Sequence, residues 1–203
     1  MFEEIYREAR QRVVGLTMGL SAGELGRTVP ACPEWTVHQV VAHLSGAASD
    51  LVGGRMEGAP SDEWTARHVA ERENVPVEEL LEEWNVSGDK IGEMPRIPFQ
   101  LALDTITHEA DLRAALGRER LPDTVWQPTL VWMTPRRLSE VTVKTEFGDL
   151  GHGPITLEVE GYELWRAFFG RRSRRQMESW NWSGPAPIDQ IPFFPPRESD
   201  LVE

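Results

Sequence analysis

The chain has 203 residues, of which 40% are apolar and 27% are charged, and its formal net charge at pH 7 is −12. That length and apolar content are enough for one domain, or two small ones, with a buried core. The negative charge argues against binding to a phosphate backbone, so we expect no nucleic-acid partner. The single cysteine, Cys32, excludes an internal disulfide and any multi-cysteine metal site.

The N-terminal residues lack the basic segment and apolar core of a signal peptide. No apolar run approaches the roughly 20 residues that a helix needs to cross a bilayer. We therefore expect a cytoplasmic protein with no membrane partner. Both a monomer and a homodimer are compatible with the sequence.

Hydrophobic periodicity predicts four long helices in the first part of the chain, with a short helix in one of the connections. The clearest start signal lies at Thr36, which can cap a helix while Gln39 reaches back to it in a capping box. Pro76 marks another start, because proline is favoured in the first helical turn. The predicted long helices cover residues 2–20, 36–53, 76–91 and 98–116, and the short one covers residues 64–72.

The fourth predicted helix carries Asp104 and His108, which are four residues apart and therefore lie on the same face. This helix is apolar on two nearly opposite sides, which predicts that it is largely buried. A buried carboxylate needs a partner. One possibility is a metal shared with His43 from the second helix, and Asp111 could then orient the ring of His108. The alternative is an Asp–His cluster without metal.

After Gly117 the pattern changes, and several prolines predict a boundary between residues 1–120 and 121–203. The second region is predicted to contain a short helix at residues 125–133 and a β-hairpin that pairs residues 138–145 with residues 155–159. A further helix is predicted at residues 162–169, a last short helix follows a second capping box, and the tail from Pro185 is predicted to be irregular.

An arginine-rich segment lies at the start of that last helix. It contains Arg171, Arg172, Arg174 and Arg175. Guanidinium groups close to a helix N-terminus can hold a carboxylate of a substrate or cosubstrate. The alternative is a solvated basic surface that offsets acidic neighbours.

Several other polar residues receive a structural interpretation. Cys32 is expected to be a small packing residue, because no base is evident near it in the sequence. Glu109 is expected to pair with Arg113 on a solvated edge. Trp35 and Trp64 can wall a pocket beside the helix that carries His43. Three further histidines are expected to face solvent or to lie in loops: His38, His68 and His152.

Four segments together resemble the mycothiol-dependent maleylpyruvate isomerase family, a group of DinB/YfiT-like four-helix metalloproteins. They are residues 29–44, the Trp-Thr-Ala-Arg segment at 64–67, the His-Glu-Ala-Asp-Leu-Arg segment at 108–113, and residues 170–176. The resemblance implies a mainly α, α+β protein. A DinB-like bundle over residues 1–120 would be followed by a small α+β region over residues 121–203.

The resemblance also implies a function. The family's isomerase binds zinc through a histidine and a Glu-xxx-His pair, which map onto His43, Asp104 and His108, with aspartate in place of glutamate. Those residues would be both metal ligands and catalytic groups, and mycothiol or a related low-molecular-weight thiol would be the cosubstrate. A metal-bound thiolate would attack a small electrophile, as in an S-transferase or a cis–trans isomerase. The alternative is a non-catalytic DinB-like metal-binding or stress-response protein.

Overall fold

The computed structural model describes all residues from Met1 to Glu203 and divides into two compact units, residues 1–120 and 121–203. The first unit is helical with one small sheet. Its elements are α1 (Phe2–Thr17), α2 (Ala22–Leu25), β1 (Thr28–Val29), β2 (Cys32–Thr36), α3 (Val37–Gly53), α4 (Asp62–Glu71), α5 (Val77–Gly92) and α6 (Phe99–Ala115).

The four long helices α1, α3, α5 and α6 form the bundle, in which α3 packs on α5 and α6, and α1 packs on α5 and α6. The predicted helical bundle is therefore confirmed. The short helix α4 packs on α3 and occupies the connection in which a short helix was predicted. No helix combines the length and the apolarity that spanning a membrane requires.

The start of α3 is defined by local hydrogen bonds. The Gln39 backbone N–H donates to Thr36 Oγ1 at 3.3 Å, and the Thr36 N–H donates to Gln39 Oε1 at 2.8 Å, which confirms the predicted capping box. Strand β2 leads directly into this cap and pairs antiparallel with β1. No strand is predicted there from the sequence, because the prolines that flank Cys32 interrupt the alternating pattern typical of a strand.

Helix α6 is buried along most of its length, and every residue from 105 to 112 is buried. This confirms the interpretation of its two apolar sides. Its neighbours are α1 on one side and α3 on another. Asp104 lies one turn before His108. Its side chain is 34% exposed, so this carboxylate is accessible to solvent.

The second unit contains a four-stranded sheet and three helices. Its elements are α7 (Asp123–Arg137), β3 (Val141–Thr145), β4 (Gly148–Leu150), β5 (Ile155–Glu158), α8 (Gly161–Phe168), α9 (Arg174–Glu178), β6 (Asn181–Trp182) and a 3₁₀ helix (Ile188–Gln190). The strand order is β4-β3-β5-β6. The capping box of Ser173 and Gln176 at the start of α9 is present, as predicted.

The predicted pairing of the hairpin is wrong. The β3 strand pairs antiparallel with β4, and β5 runs parallel to β3 on its other side. Because β4 returns the chain to the start of β3, the next strand must run in the same direction as β3. The connection from β4 to β5 passes very close to the residue before β3. A Cβ on Gly153 would lie 1.7 Å from the carbonyl carbon of Glu140, so only glycine fits there.

Helix α7 is longer than the predicted helix at 125–133 and includes Pro128 and Pro135. The helix predicted at 125–133 contains Pro128 but ends before Pro135, because proline lacks the N–H that a helix interior uses. Packing outweighs that cost here. Trp126, Leu130 and Met133 are buried on one face of α7, and α7 packs against α8.

Candidate metal centre

Three side chains from α3 and α6 converge in the helical unit. His43 Nε2 lies 3.2 Å from Asp104 Oδ2, and His108 Nε2 lies 3.5 Å from Asp104 Oδ1. One ligand atom from each residue lies within 4.8 Å of the other two. The structure therefore brings together the three residues that the sequence analysis selected as metal ligands.

The donor set fits a small divalent ion. The two imidazole nitrogens contact different oxygens of Asp104, at 3.2 and 3.5 Å, so both rings face one carboxylate. Two imidazoles and one carboxylate also form a three-ligand set of the kind that leaves a coordination position open in catalytic zinc sites.

Two tryptophans surround the cluster. The Trp35 ring centroid lies 5.2 Å from that of His43 and 5.9 Å from that of His108, and the Trp64 centroid lies 6.3 Å from that of His43. Trp35 is half-buried and Trp64 is buried. These rings form an apolar wall on the histidine side of the cluster.

The carboxylate that was expected to orient His108 lies beside it. Asp111 is completely buried, and its Oδ2 lies 3.0 Å from His108 Nδ1, an ion-pair contact that lacks the geometry of a hydrogen bond. The thiol of Cys32 donates to the same carboxylate oxygen at 3.5 Å. The Cys32 thiol therefore contacts the outer side of the cluster, where it holds the carboxylate that faces His108.

His68 is the main correction to the sequence analysis, which expected this histidine to face solvent or to lie in a loop. It is fully buried, and its Nδ1 lies 3.3 Å from Nδ1 of His43. Its Nε2 lies 3.1 Å from Oδ2 of Asp50, a completely buried carboxylate at the end of α3. Asp50 also forms ion pairs with Arg55 and Arg67.

Burial lowers the pKa of His68 to about 4, although Asp50 acts in the opposite direction. Burial by itself raises the pKa of Asp50, but hydrogen bonds from His68 and Arg67 outweigh it, so the pKa of this carboxyl lies below its ordinary value. The pair at neutral pH is therefore a neutral imidazole and an ionised carboxylate.

The sequence contains a signal for the buried contact between Asp50 and His68. His43, Gly46 and Asp50 are three and seven residues apart along α3, which places them on one helical face. Two polar side chains and a glycine on one face of α3 indicate that a polar side chain from another element can be buried against this face. The sequence does not show which element supplies it.

The arginine-rich segment lies in the second unit, and each of its guanidinium groups has a protein partner. Arg172 is completely buried and binds Glu163 through two contacts of 2.5 and 2.7 Å. Arg171 donates to a backbone carbonyl at 2.8 Å. Arg174 and Arg175 are exposed and pair with Asp189 and Asp200. A ligand contacting Arg172 would have to displace a buried ion pair, whereas Arg174 and Arg175 are accessible.

The arrangement of the helices defines the class of this protein: it has the DinB-like helical fold, with a small sheet-containing region after the bundle. The family model of the mycothiol maleylpyruvate isomerase N-terminal domain matches residues 6–145. The chain therefore belongs to the mycothiol maleylpyruvate isomerase family.

Solved structures are similar to the whole chain. One is the crystal structure of the mycothiol-dependent maleylpyruvate isomerase, with 14% sequence identity and a TM-score of 0.58. Another is a histidine-to-alanine mutant of it, with 13% identity and a TM-score of 0.57. Each comparison covers 92% of this chain and 94% of the other. At this identity the likeness concerns the fold. Comparison with curated proteins gives no match.

Proposed function

We propose that this protein is a metal-dependent, mycothiol-using transferase or isomerase in which a metal-bound thiolate attacks a small electrophilic substrate. One observation supports this proposal above all others. In a chain of the mycothiol maleylpyruvate isomerase family, His43, Asp104 and His108 converge so that one possible ligand atom from each lies within 4.8 Å of the other two. Zinc is the proposed ion, because two imidazoles and a carboxylate suit it.

In the proposed site each protein group has a separate task. His43 and His108 would supply imidazole nitrogens, and Asp104 would supply a carboxylate that offsets part of the charge of the ion. A divalent metal held by these residues would lower the pKa of a coordinated thiol and so supply a nucleophilic thiolate near neutral pH. Trp35 and Trp64 would form the apolar wall on the histidine side of the site.

The protein's own thiol is not proposed as the nucleophile. Cys32 donates its S–H to Asp111, a carboxylate that also faces His108. As the donor in this contact the sulfur carries its proton, and a thiol is a weaker nucleophile than a thiolate. The nucleophilic sulfur is therefore assigned to mycothiol or a related low-molecular-weight thiol.

A cobalt-substituted protein tests the proposal. After Co²⁺ replaces the native ion, addition of mycothiol should produce a thiolate-to-cobalt charge-transfer band in the near ultraviolet. The Cys32→Ser variant should give the same band, because the thiol that binds the metal comes from the cosubstrate. The disulfide of mycothiol, which has no free thiol, should give none.

Two outcomes contradict the proposal. A protein that binds no divalent ion after purification without chelators has no metal centre. A protein that is fully loaded with cobalt but shows no band at saturating mycothiol is a metal-binding protein without thiol chemistry, which is the alternative function considered from the sequence.

A further inference from the structure

His43 is linked to a buried carboxylate through a second histidine. The contacts run from Asp50 Oδ2 to His68 Nε2 at 3.1 Å, and from His68 Nδ1 to His43 Nδ1 at 3.3 Å. His43 Nε2 then faces Asp104 Oδ2 at 3.2 Å. Asp50 and His68 have no exposed side-chain surface, so protein groups and not bulk solvent determine where their protons lie.

The positions of the protons along this series follow from Asp50. Its carboxylate is ionised between the guanidinium groups of Arg55 and Arg67, so it accepts hydrogen bonds and donates none. The nitrogen of His68 that faces Asp50, Nε2, must therefore carry a proton. With that proton on Nε2, the Nδ1 that faces His43 at 3.3 Å is available to accept a hydrogen bond.

The proton of His43 has a corresponding place. In the proposed centre Nε2 of His43 would bind the ion through its lone pair, so the ring proton would lie on Nδ1 and be donated to Nδ1 of His68. That lone pair points at a carboxylate oxygen of Asp104 only 3.2 Å away. Two acceptors at this distance repel each other unless a cation lies between them.

We propose that Asp50 and His68 are positioning residues that hold the proton of His43 on Nδ1 and so direct the lone pair of Nε2 into the metal centre. This inference rests on the proposed metal site and assigns a role to two residues outside it. Metal-bound histidines commonly donate their second N–H to a carboxylate or carbonyl. Here the ring of His68 lies between His43 and the carboxylate of Asp50, so Asp50 acts on His43 through the hydrogen bonds of His68.

The backbone of α3 is shaped to admit His68. A Cβ on Gly46 would lie 2.6 Å from Cγ and 2.7 Å from Cβ of His68. Contacts below 3.0 Å are not tolerated, and the atoms nearest to Gly46 belong to the base of the side chain, which cannot swing away. Glycine at this position is therefore what allows the ring of His68 to lie between His43 and Asp50.

The direct test is the protonation of the His43 ring in the metal-free protein at pH 8, measured by nitrogen NMR with ¹⁵N-labelled histidine. We expect the parent to carry a proton on Nδ1 of His43. In His68→Leu, which removes the acceptor, the proton should move to Nε2 and be donated to Asp104. A parent protein whose His43 is protonated on Nε2 alone overturns the inference, whether or not the protein binds metal.

The second test is zinc affinity, measured by competition with a chromophoric chelator. Removing an outer partner of a metal-bound histidine costs about 10- to 100-fold in metal affinity. We expect a loss of that size in His68→Leu and Asp50→Asn. His68→Gln should recover part of the affinity, because a side-chain amide can both accept from His43 and donate to Asp50.

His38→Gln is the matched control. His38 also lies on α3, but its Nε2 contacts the backbone carbonyl of Val75 at 2.8 Å and not the cluster. This variant should bind zinc like the parent. Equal zinc affinity in the parent and in folded His68→Leu would refute the positioning role, whereas a parent that binds no zinc would refute the metal site itself.

Discussion

At the scale of single residues, the three donors of the candidate centre differ in their access to solvent. The side chain of Asp104 is 34% exposed, while those of His43 and His108 are 5% and 7% exposed. The cluster is therefore accessible from the side of Asp104, while the Trp35 ring lies against the two histidines.

Replacement of His108 by alanine should abolish metal binding. Two remaining ligands hold zinc weakly, and the loss of the imidazole also leaves the buried Asp111 carboxylate with one partner fewer. Elemental analysis after dialysis should give about one zinc per parent chain and almost none for the variant. His152→Ala, at an exposed position, should retain the metal. Zinc retained in full by His108→Ala would exclude it as a ligand.

Within the arginine-rich segment, burial separates the expected effects of two substitutions. Arg172→Ala should destabilise the protein by about 2–4 kcal/mol, because Glu163 and the buried Glu203 lose a charged partner. Arg175→Ala, at an exposed position, should leave the unfolding temperature unchanged.

If the arginine-rich segment binds the anion of the cosubstrate, Arg175→Ala or Arg174→Ala should raise the thiol dissociation constant while zinc content stays full. If both bind thiol like the parent, the solvated-surface interpretation is correct.

At the scale of whole elements, a buried carboxylate connects α1 to α6. Glu109 of α6 is completely buried, and it accepts from Arg12 of α1 at 2.9–3.0 Å and from Arg113 at 3.0 Å. The predicted pair of Glu109 with Arg113 is present. Its predicted position on a solvated edge is wrong, because α1 covers the carboxylate. The interaction therefore holds the helix of Asp104 and His108 against α1.

Glu109→Gln should weaken this connection. The substitution removes the charge but keeps the shape, and the two arginines remain partly exposed to water, so we expect a loss of about 1–3 kcal/mol in the free energy of unfolding. Urea unfolding followed by circular dichroism measures it. The control is Glu8→Gln, whose exposed contact with Arg12 is 3.8 Å long and should contribute nothing measurable. Equal losses in the two variants would contradict the argument.

At the scale of the whole molecule, the stability should depend on alkaline pH through Tyr6. Burial raises the pKa of Tyr6 from 10.0 to about 12, although the hydrogen bond from Trp84 Nε1 to its hydroxyl acts in the opposite direction. The unfolded chain therefore releases this proton first as pH rises. The Tyr6 contribution to stability is complete below pH 10 and is lost progressively as pH rises towards 12.

The measurement compares the parent with Tyr6→Phe. Below pH 10 the variant should be less stable, because Trp84 loses its acceptor. By pH 11 the parent should have lost about 1.4 kcal/mol through Tyr6, a loss that the variant cannot show. The difference in unfolding free energy between the two proteins should therefore shrink by that amount between pH 9 and pH 11. A difference independent of pH would show that Tyr6 titrates normally.

Local sequence determined the features that depend on neighbours in the chain. The capping boxes of Thr36 and Ser173 could be predicted because their partners lie three residues away. The shared face of Asp104 and His108 follows from helical geometry in the same way. The burial of α6 could be predicted too, because a helix with two apolar sides must be covered on both.

Tertiary structure decided the features that depend on contacts between distant elements. His68 lies on a polar, amphipathic helix, and only the packing of α4 on Gly46 of α3 buries it beside His43. The parallel pairing of β3 and β5 depends on β4, a three-residue strand too short to show an alternating pattern. Residue periodicity reports which face of an element is buried, but it carries no information about which element covers that face. For this reason the shared face of Asp104 and His108 could be predicted from the sequence, whereas the burial of His68 beside His43 could not.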